Sequence, residues 1–522
     1  MKVAVSFLLA MVLLACPAQA SVTLPSFFSD HMVLQREAPL PIWGRAEPGQ
    51  KITVTLAGES AVAQADGEGN WKVELKPLAA SRTPQELTVQ AAGEEKKITL
   101  TDVLIGDVWL GSGQSNMAGR VASYAGNDET LAALAAKAPF PQIRLMQSGP
   151  APRWTPATAE TVNSFSAIHF AFGERLQREL DVPVGLIVGA VGGTPSGYWI
   201  PPQTFADSPK CKESIAQATK TFSRERADEL YQARVKQWEK AVAAAAAKGE
   251  KVRGRKPLPP VDPGESSRGG KIGGLYERYI EPIAGYRIRG VLWDQGEAGS
   301  GVVGVDQYVL MSELIRGWRE VWGQGEFPFL FVQKPSGGGC AFRDDDPITR
   351  NAEPFVADLP AIDGRDSGEG RYLYVRLMQG NKNAWMTPVS DLGSGIHPTN
   401  KWGYGNRAAE VALSQVYQTG VQAYGPIYRS HKIDGNKVTV AFDQVGKGLT
   451  AAHSSNLQGF AVAGKDGVWH WADATIEGDS VVLSSSEVAS PTRLRYAFAQ
   501  KRAWANLFNK DGLPALAFET GE

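Results

Sequence analysis

The stretch LIGDVWLGSGQSNMAG, residues 104–119, ends an apolar run in glycines, a serine and an asparagine. Where a parallel strand gives way to a helix, a hydroxyl such as that of Ser115 stands above the carboxyl edge of the sheet. Neighbouring backbone N–H groups then face the oxygen that turns negative during acyl transfer. On spacing alone two readings stay open. Ser115 is an exposed nucleophile, or it is the N-cap of the following helix, because Ser, Asn and Gly are common in caps and turns.

Either reading needs a sheet and helices around the turn. Apolar strand candidates occur at 103–111, 184–190, 288–296 and 327–334, and SAIHFAFGERLQREL (166–180) and YVLMSELIRGWREVW (308–322) carry apolar residues at helical spacing. Strands rich in Val, Ile and Leu joined by amphipathic helices predict an α/β domain over 103–419, with a mostly parallel sheet covered on both faces. Before it, KITVTL (51–56), NWKVEL (70–75) and QELTVQ (85–90) alternate apolar and polar residues, which predicts a small β-sandwich over 21–102. The same rhythm returns in 436–443, 457–464, 479–488 and 493–500, which predicts a second β-sandwich over 420–522. Residues 216–247 read as one long helix within a helical insertion near 213–270, closed by a basic, proline-rich tract. A charged helix of this kind covers an edge or shapes a cleft.

The chain has 522 residues, 43% of them hydrophobic, and a formal charge of -1, a composition with no electrostatic reason to bind nucleic acid or an anionic bilayer. Met1 and Lys2 precede an apolar run ending in AQA at 18–20, so residues 1–20 read as a cleaved signal peptide and the mature chain as secreted or periplasmic. The apolar run is too short to span a hydrocarbon layer of about 30 Å. Cys16 follows a partial lipoprotein box, which Leu14 and Pro17 disfavour. Of the three cysteines, only Cys211 and Cys340 remain after cleavage; they suffice for one disulfide but for neither a scaffold nor a metal knuckle. The acidic run Asp344 to Asp346 reads as a solvated loop, and no metal is expected in the reaction.

GDVWLGSGQSNM, VGGTPSGYW (191–199), GVLWDQGEAGS (290–300), PFLFVQ (328–333) and DLGSGIHPTNKWGYGNRAA (391–409) together resemble the sialate O-acetylesterase and acetylxylan esterase family of SGNH-like serine hydrolases. The opening FFSDHMVLQREAPLPIWGRAEPGQ is similar to that family's N-terminal β domain. The resemblance implies a three-layer SGNH-like hydrolase domain between two β domains, acting without a cofactor on O-acetylated glycans. Ser115 in GQSNM matches the nucleophile and His397 in GIHP the base that takes its proton, a pairing the chemistry needs because a serine hydroxyl attacks poorly unaided. The oxyanion hole implied comprises the N–H of Ser115, that of Gly192 or Gly193, and the Gln295 side chain.

The position three residues before the histidine, where SGNH enzymes carry an aspartate, holds Ser394. Asp391, Asp294 and then Glu297 are the carboxylates considered to orient His397; a Ser–His dyad is the other option. Trp199, Trp293 and Trp385, with Tyr198 and Glu297, are candidate substrate-lining residues, since sugar faces stack on aromatic rings. An acetylated sialoside would call for an arginine facing its carboxylate, whereas a polysaccharide such as acetylated xylan or xyloglucan would call for an open, aromatic-lined site. The alternatives are a carbohydrate-binding protein on an esterase scaffold and an esterase of lipid or peptide esters. The partner expected is an acetylated oligosaccharide or polysaccharide, acted on by a monomer.

Overall fold

The computed structural model describes residues 22–252, 254–362 and 366–521; the expected leader and Cys16 lie outside the described residues. A mixed sheet forms the centre of the molecule. Its strands run in the order Ala384–Thr387, Phe329–Val332, Gly290–Asp294, Ile98–Gly113, Val184–Ala190, Phe140–Gln147 and Trp154–Ala157. The first six are mutually parallel, and the last is an antiparallel edge. Parallel strands need both faces covered, and the helices Ala167–Leu180, Gln307–Trp322, Glu369–Gly380 and Lys401–Gln415 turn apolar side chains into one large core. This is the α/β architecture expected.

Register fixes where the loops meet. Ala190 pairs with Gly113 on one side of the central strand, and Asp294 pairs with Gly113 on the other, so three parallel strands end at one level. The segments after them, beginning at Gln114, Val191 and Gln295, therefore emerge together at the carboxyl edge, where strand order reverses and ligands of such sheets bind.

The central strand is longer than its neighbours. Its first half pairs antiparallel with Ser81–Ala91 in the N-terminal β region, and Leu104 to Gly106 also pair with Val33–Gln35. Its second half, from Asp107, joins Val184–Ala190. The expected boundary between 102 and 103 thus falls inside one continuous strand. At this junction Asp102 accepts hydrogen bonds from Arg144 at 3.0 Å and approaches His31 Nδ1 at 2.7 Å. Asp107 is buried between Arg36 and Arg289; burial alone would raise its pKa, but the two guanidinium groups, Arg289 foremost, hold it below the usual carboxylate value.

The C-terminal region has its own core, with Val440, Phe460, Leu483 and Leu494 at its centre, between two four-stranded antiparallel sheets. Three strands of the central sheet escaped sequence reading, the edge strand Trp154–Ala157 among them. Phe140–Gln147 carries Pro141, Gln142 and Arg144 in its run, and Ala384–Thr387 has only four residues. The expected helix over 216–247 is instead two helices, Pro209–Thr221 and Arg224–Ala247. Phe222 is extended, and the Ser223 side chain caps a fresh start by accepting from the Arg226 N–H. Cys211 and Cys340 are both free, buried thiols and do not pair. Among the described residues no helix is long and apolar enough to cross a membrane.

His169 lies wholly buried in the core. Its ring stacks on Phe172 and its Nε2 lies 3.1 Å from the Trp109 carbonyl oxygen. Burial lowers its pKa from 6.5 to about 4. Between those values the unfolded chain takes up a proton that the folded chain refuses, so the stability that the neutral ring preserves is complete above pH 6.5 and is lost as pH falls toward 4. The difference amounts to about 3 kcal/mol. In thermal melts from pH 7 to pH 4, the stability advantage of wild type over His169→Gln should shrink by about that amount.

Candidate active site

Gly113 makes the turn that ends the central strand. Its φ of +129 suits glycine, and a Cβ there would run into the Asp294 carbonyl, which already accepts the Gln114 N–H at 2.9 Å. A short helix, Ser115–Ala118, starts at once. Its N-cap is Gln114, without a side-chain cap bond, so the Ser115 hydroxyl is not spent on capping. Instead Ser115 Oγ lies 2.9 Å from His397 Nε2. Of the two readings of the turn, the N-cap is set aside by this geometry.

Two other segments border Ser115. A Cβ added to Gly192 would sit 3.5 Å from that of Ser115, so the turn after Val184–Ala190 runs directly beside it. Gly193 takes φ +73. Among the described residues the backbone N–H groups of Ser115, Gly192 and Gly193 donate to no protein acceptor. They remain available to an incoming anion.

Gln295 is not among these free donors. Its Nε2 faces the carbonyl oxygens of Gly299 at 3.1 Å and Thr194 at 3.4 Å, while its Oε1 accepts from Ser196 Oγ and from Gln307 Nε2. With both amide protons engaged, the buried side chain braces the loop that carries Gly192 and Gly193.

The three carboxylates considered for His397 have other partners. Asp391 is fully buried and bidentate to Arg407, at 3.0 and 3.2 Å. Asp294 is buried against the Lys334 ammonium at 2.7 Å, and Glu297 meets the same ammonium at 2.8 Å. Burial pulls the Lys334 pKa down, but the two carboxylates overcome it and hold the ammonium charged above the ordinary lysine range. Among the described residues no carboxylate pairs with His397, whose ring is exposed to solvent. Ser394 donates to Glu353 at 2.6 Å.

Sequence reasoning missed Asn116. Its Nδ2 donates to Glu297 at 2.9 Å and to the Ile396 carbonyl at 3.0 Å, and its Oδ1 accepts from the buried Lys401 ammonium at 2.6 Å. The residue after the serine therefore holds the backbone just before the histidine. Burial drops the Lys401 pKa to about 7, against the pull of Asp294. The available signal was a polar side chain at a strand end or loop within apolar surroundings: Asn116 in QSNM, Lys334 closing FLFVQK, Lys401 in PTNKW.

The aromatic candidates separate. Trp199 and Trp293 are wholly buried and meet edge to face 6.1 Å apart, so they belong to the core and not to a sugar platform. Trp385 is the second residue of its strand, at the opposite, amino edge of the sheet, beside Arg36 and Arg289. Tyr198 is half-buried and bonds the Gly270 N–H. Of the proposed lining residues, Glu297 alone borders a cleft on the His397 side of the site.

Residues 105–254 match the family model described as carbohydrate esterase, sialic acid-specific acetylesterase. Sialate O-acetylesterases of Rattus norvegicus and Homo sapiens are 29% and 28% identical over 348 and 349 residues, 60% of this chain in each case. The chain covers 60% of the rat protein's length and 57% of the human one's. A carbohydrate acetylesterase from Xanthomonas citri has a similar structure, with a TM-score of 0.70 and 27% identity, over 96% of this chain and 99% of that one. The resemblance read from the motifs is therefore shown as a similarity: residues 105–254 match the family model of the sialic acid-specific acetylesterases, and the chain is similar to the sialate O-acetylesterases.

Proposed function

We propose that the protein is a serine esterase that removes O-acetyl groups from glycans. The observation that carries this reading is the 2.9 Å approach of Ser115 Oγ to His397 Nε2, beside three backbone N–H groups that find no protein acceptor among the described residues. Ser115 Oγ attacks the acetyl carbonyl carbon while its proton passes to His397 Nε2. The negative oxygen that results is met by the N–H groups of Ser115, Gly192 and Gly193. As the tetrahedral centre collapses, the carbon–oxygen bond to the sugar breaks and Nε2–H protonates the departing sugar hydroxyl. Water, deprotonated by His397, then attacks the acetyl-enzyme, releasing acetate and returning the proton to Ser115.

The pair works as a dyad in this reading. With Asp391 committed to Arg407 and Asp294 to Lys334, the task of orienting the imidazole falls to its loop, tied through Ile396 to Asn116. Exposure of the ring supports the assignment, because water stabilises the imidazolium that a buried carboxylate would otherwise compensate. We assign Gln295, Asn116 and Lys401 to positioning.

Two outcomes follow. Ser115→Ala and His397→Ala should each lower acetate release from acetylated xylan by at least about 10³-fold, measured on protein whose folding is confirmed by circular dichroism. Retained activity in either would remove the mechanism. Asp391→Asn should act on stability, since it takes the bidentate carboxylate from the buried Arg407 and leaves that charge only Glu410 at 3.4 Å, a loss of about 3 kcal/mol. Its signature is a lower urea midpoint, with kcat in the native fraction changed by less than tenfold; a loss as large as that of His397→Ala would instead restore Asp391 to the catalytic group.

A further inference from the structure

Beyond Ser394, Gly395 and Ile396, which immediately precede His397, lies a cleft of about 1370 Å³ between residues 335–362 with 366–367 and the C-terminal β region. Binding pockets for single small ligands usually hold about 300–1,000 Å³. This one is larger, and its far wall is built of aromatic rings: Phe355 from 335–362, Trp471 from a strand of the C-terminal β region, and Phe498 and Trp504 from that region's loops. Trp471 and Trp504 stand edge to face, with centroids 5.0 Å apart.

The two walls are fastened together. Trp471 Nε1 donates to the Pro360 carbonyl at 2.8 Å, and Gln458 Nε2 to that of Val356 at 3.1 Å. Asp366 accepts the N–H groups of Gln500 and Lys501 at 2.8 and 3.0 Å. Beneath them the buried Arg371 guanidinium donates to the carbonyl oxygens of both Gly337 and Gln500. A seam of this kind holds the cleft open at a fixed width.

Its charge argues against an anionic occupant. The described acids on its surface are Glu297, Glu353, Asp358 and Asp366, against Arg495 and Lys501. Arg495 is engaged: its guanidinium lies 4.3 Å above the Trp469 ring and 3.6 Å from Glu519. Neither Arg120 nor Arg343 lines the cleft.

We infer that this cleft binds several consecutive sugars of an uncharged glycan, threading the chain along the C-terminal aromatic wall so that one O-acetylated residue reaches Ser115. The inference rests on the esterase reading above and adds to it a polymer-binding site and a preference for neutral chains. Rings of neutral pyranose sugars stack on Trp and Phe faces, while carboxylates and backbone groups at the rim take their hydroxyls. The C-terminal β region thereby becomes part of the substrate site.

The test uses the full chain and acetylated xylo-oligosaccharides of two to six sugars, with p-nitrophenyl acetate as the small ester and an O-acetylated sialoside as the anionic one. In the unaltered protein, kcat/KM should rise at least tenfold from the disaccharide to the hexasaccharide, and the sialoside should fall below the hexasaccharide. In Phe355→Ala and Trp471→Ala, the hexasaccharide-to-disaccharide ratio within each variant should collapse toward one. A flat length series in the unaltered protein, a ratio preserved in both variants, or a preference for the sialoside would overturn the inference. Failure of the esterase reading looks different: hydrolysis of p-nitrophenyl acetate would survive Ser115→Ala, whatever the length series gave.

Discussion

A side chain at residue 113 would collide with the carbonyl of Asp294 on the neighbouring strand, and the backbone there adopts a φ that suits glycine. This contact makes the central strand stop level with its two partners and turn at once into the Ser115 helix. Were the turn looser, Ser115 would not stand beside both Gly192 and His397, because each of those comes from a different strand end or loop and is held in its own place. The precision of the site comes from the sheet's register, relayed through one glycine.

Charge in the site is arranged in layers. Near the surface, Ser115 and His397 meet with solvent on the imidazole. Below them Asn116 touches Glu297, the Ile396 carbonyl and Lys401, and below these Glu297 and Asp294 share the Lys334 ammonium. Buried charges are costly unless paired: Asp294 and Glu297 pair with Lys334, whereas Lys401 meets only the Asn116 amide oxygen, and burial drops its pKa to about 7. Among the described residues no carboxylate pairs with the histidine; in a chain with Ser394 at the customary acid position, the Ile396 carbonyl, which accepts from Asn116, ties the histidine's loop beside the serine.

Legibility in the sequence followed the range of the interactions involved. Val184–Ala190 and Lys51–Leu56 were readable to the residue, because a run of apolar or alternating side chains is a local property. Phe140–Gln147 was not: it lies next to the antiparallel edge strand, where Gln142 and Arg144 interrupt the apolar pattern. The motif around Ser115 pointed to a tight turn, and the turn is there. The partners of Asp391 and Asp294 were illegible, since Arg407 and Lys334 are brought to them only by the fold. Trp199 and Trp293 misled for the same reason: an indole suited to a sugar is equally suited to a core, and burial decides. The cleft beside Ile396 gave no local signal, being assembled from Phe355 and three rings more than one hundred residues further along the chain.

The strand Ile98–Gly113 passes without a break from the N-terminal β region into the centre of the parallel sheet. The first hundred residues are therefore no cassette that recombination could swap. A crossover at their apparent border would splice one ladder to another in mid-strand, and a shift of a single residue would turn its core-facing side chains outward and move Gly113 off its mark. Inheritance of the turn that presents Ser115 is bound to inheritance of the N-terminal β region.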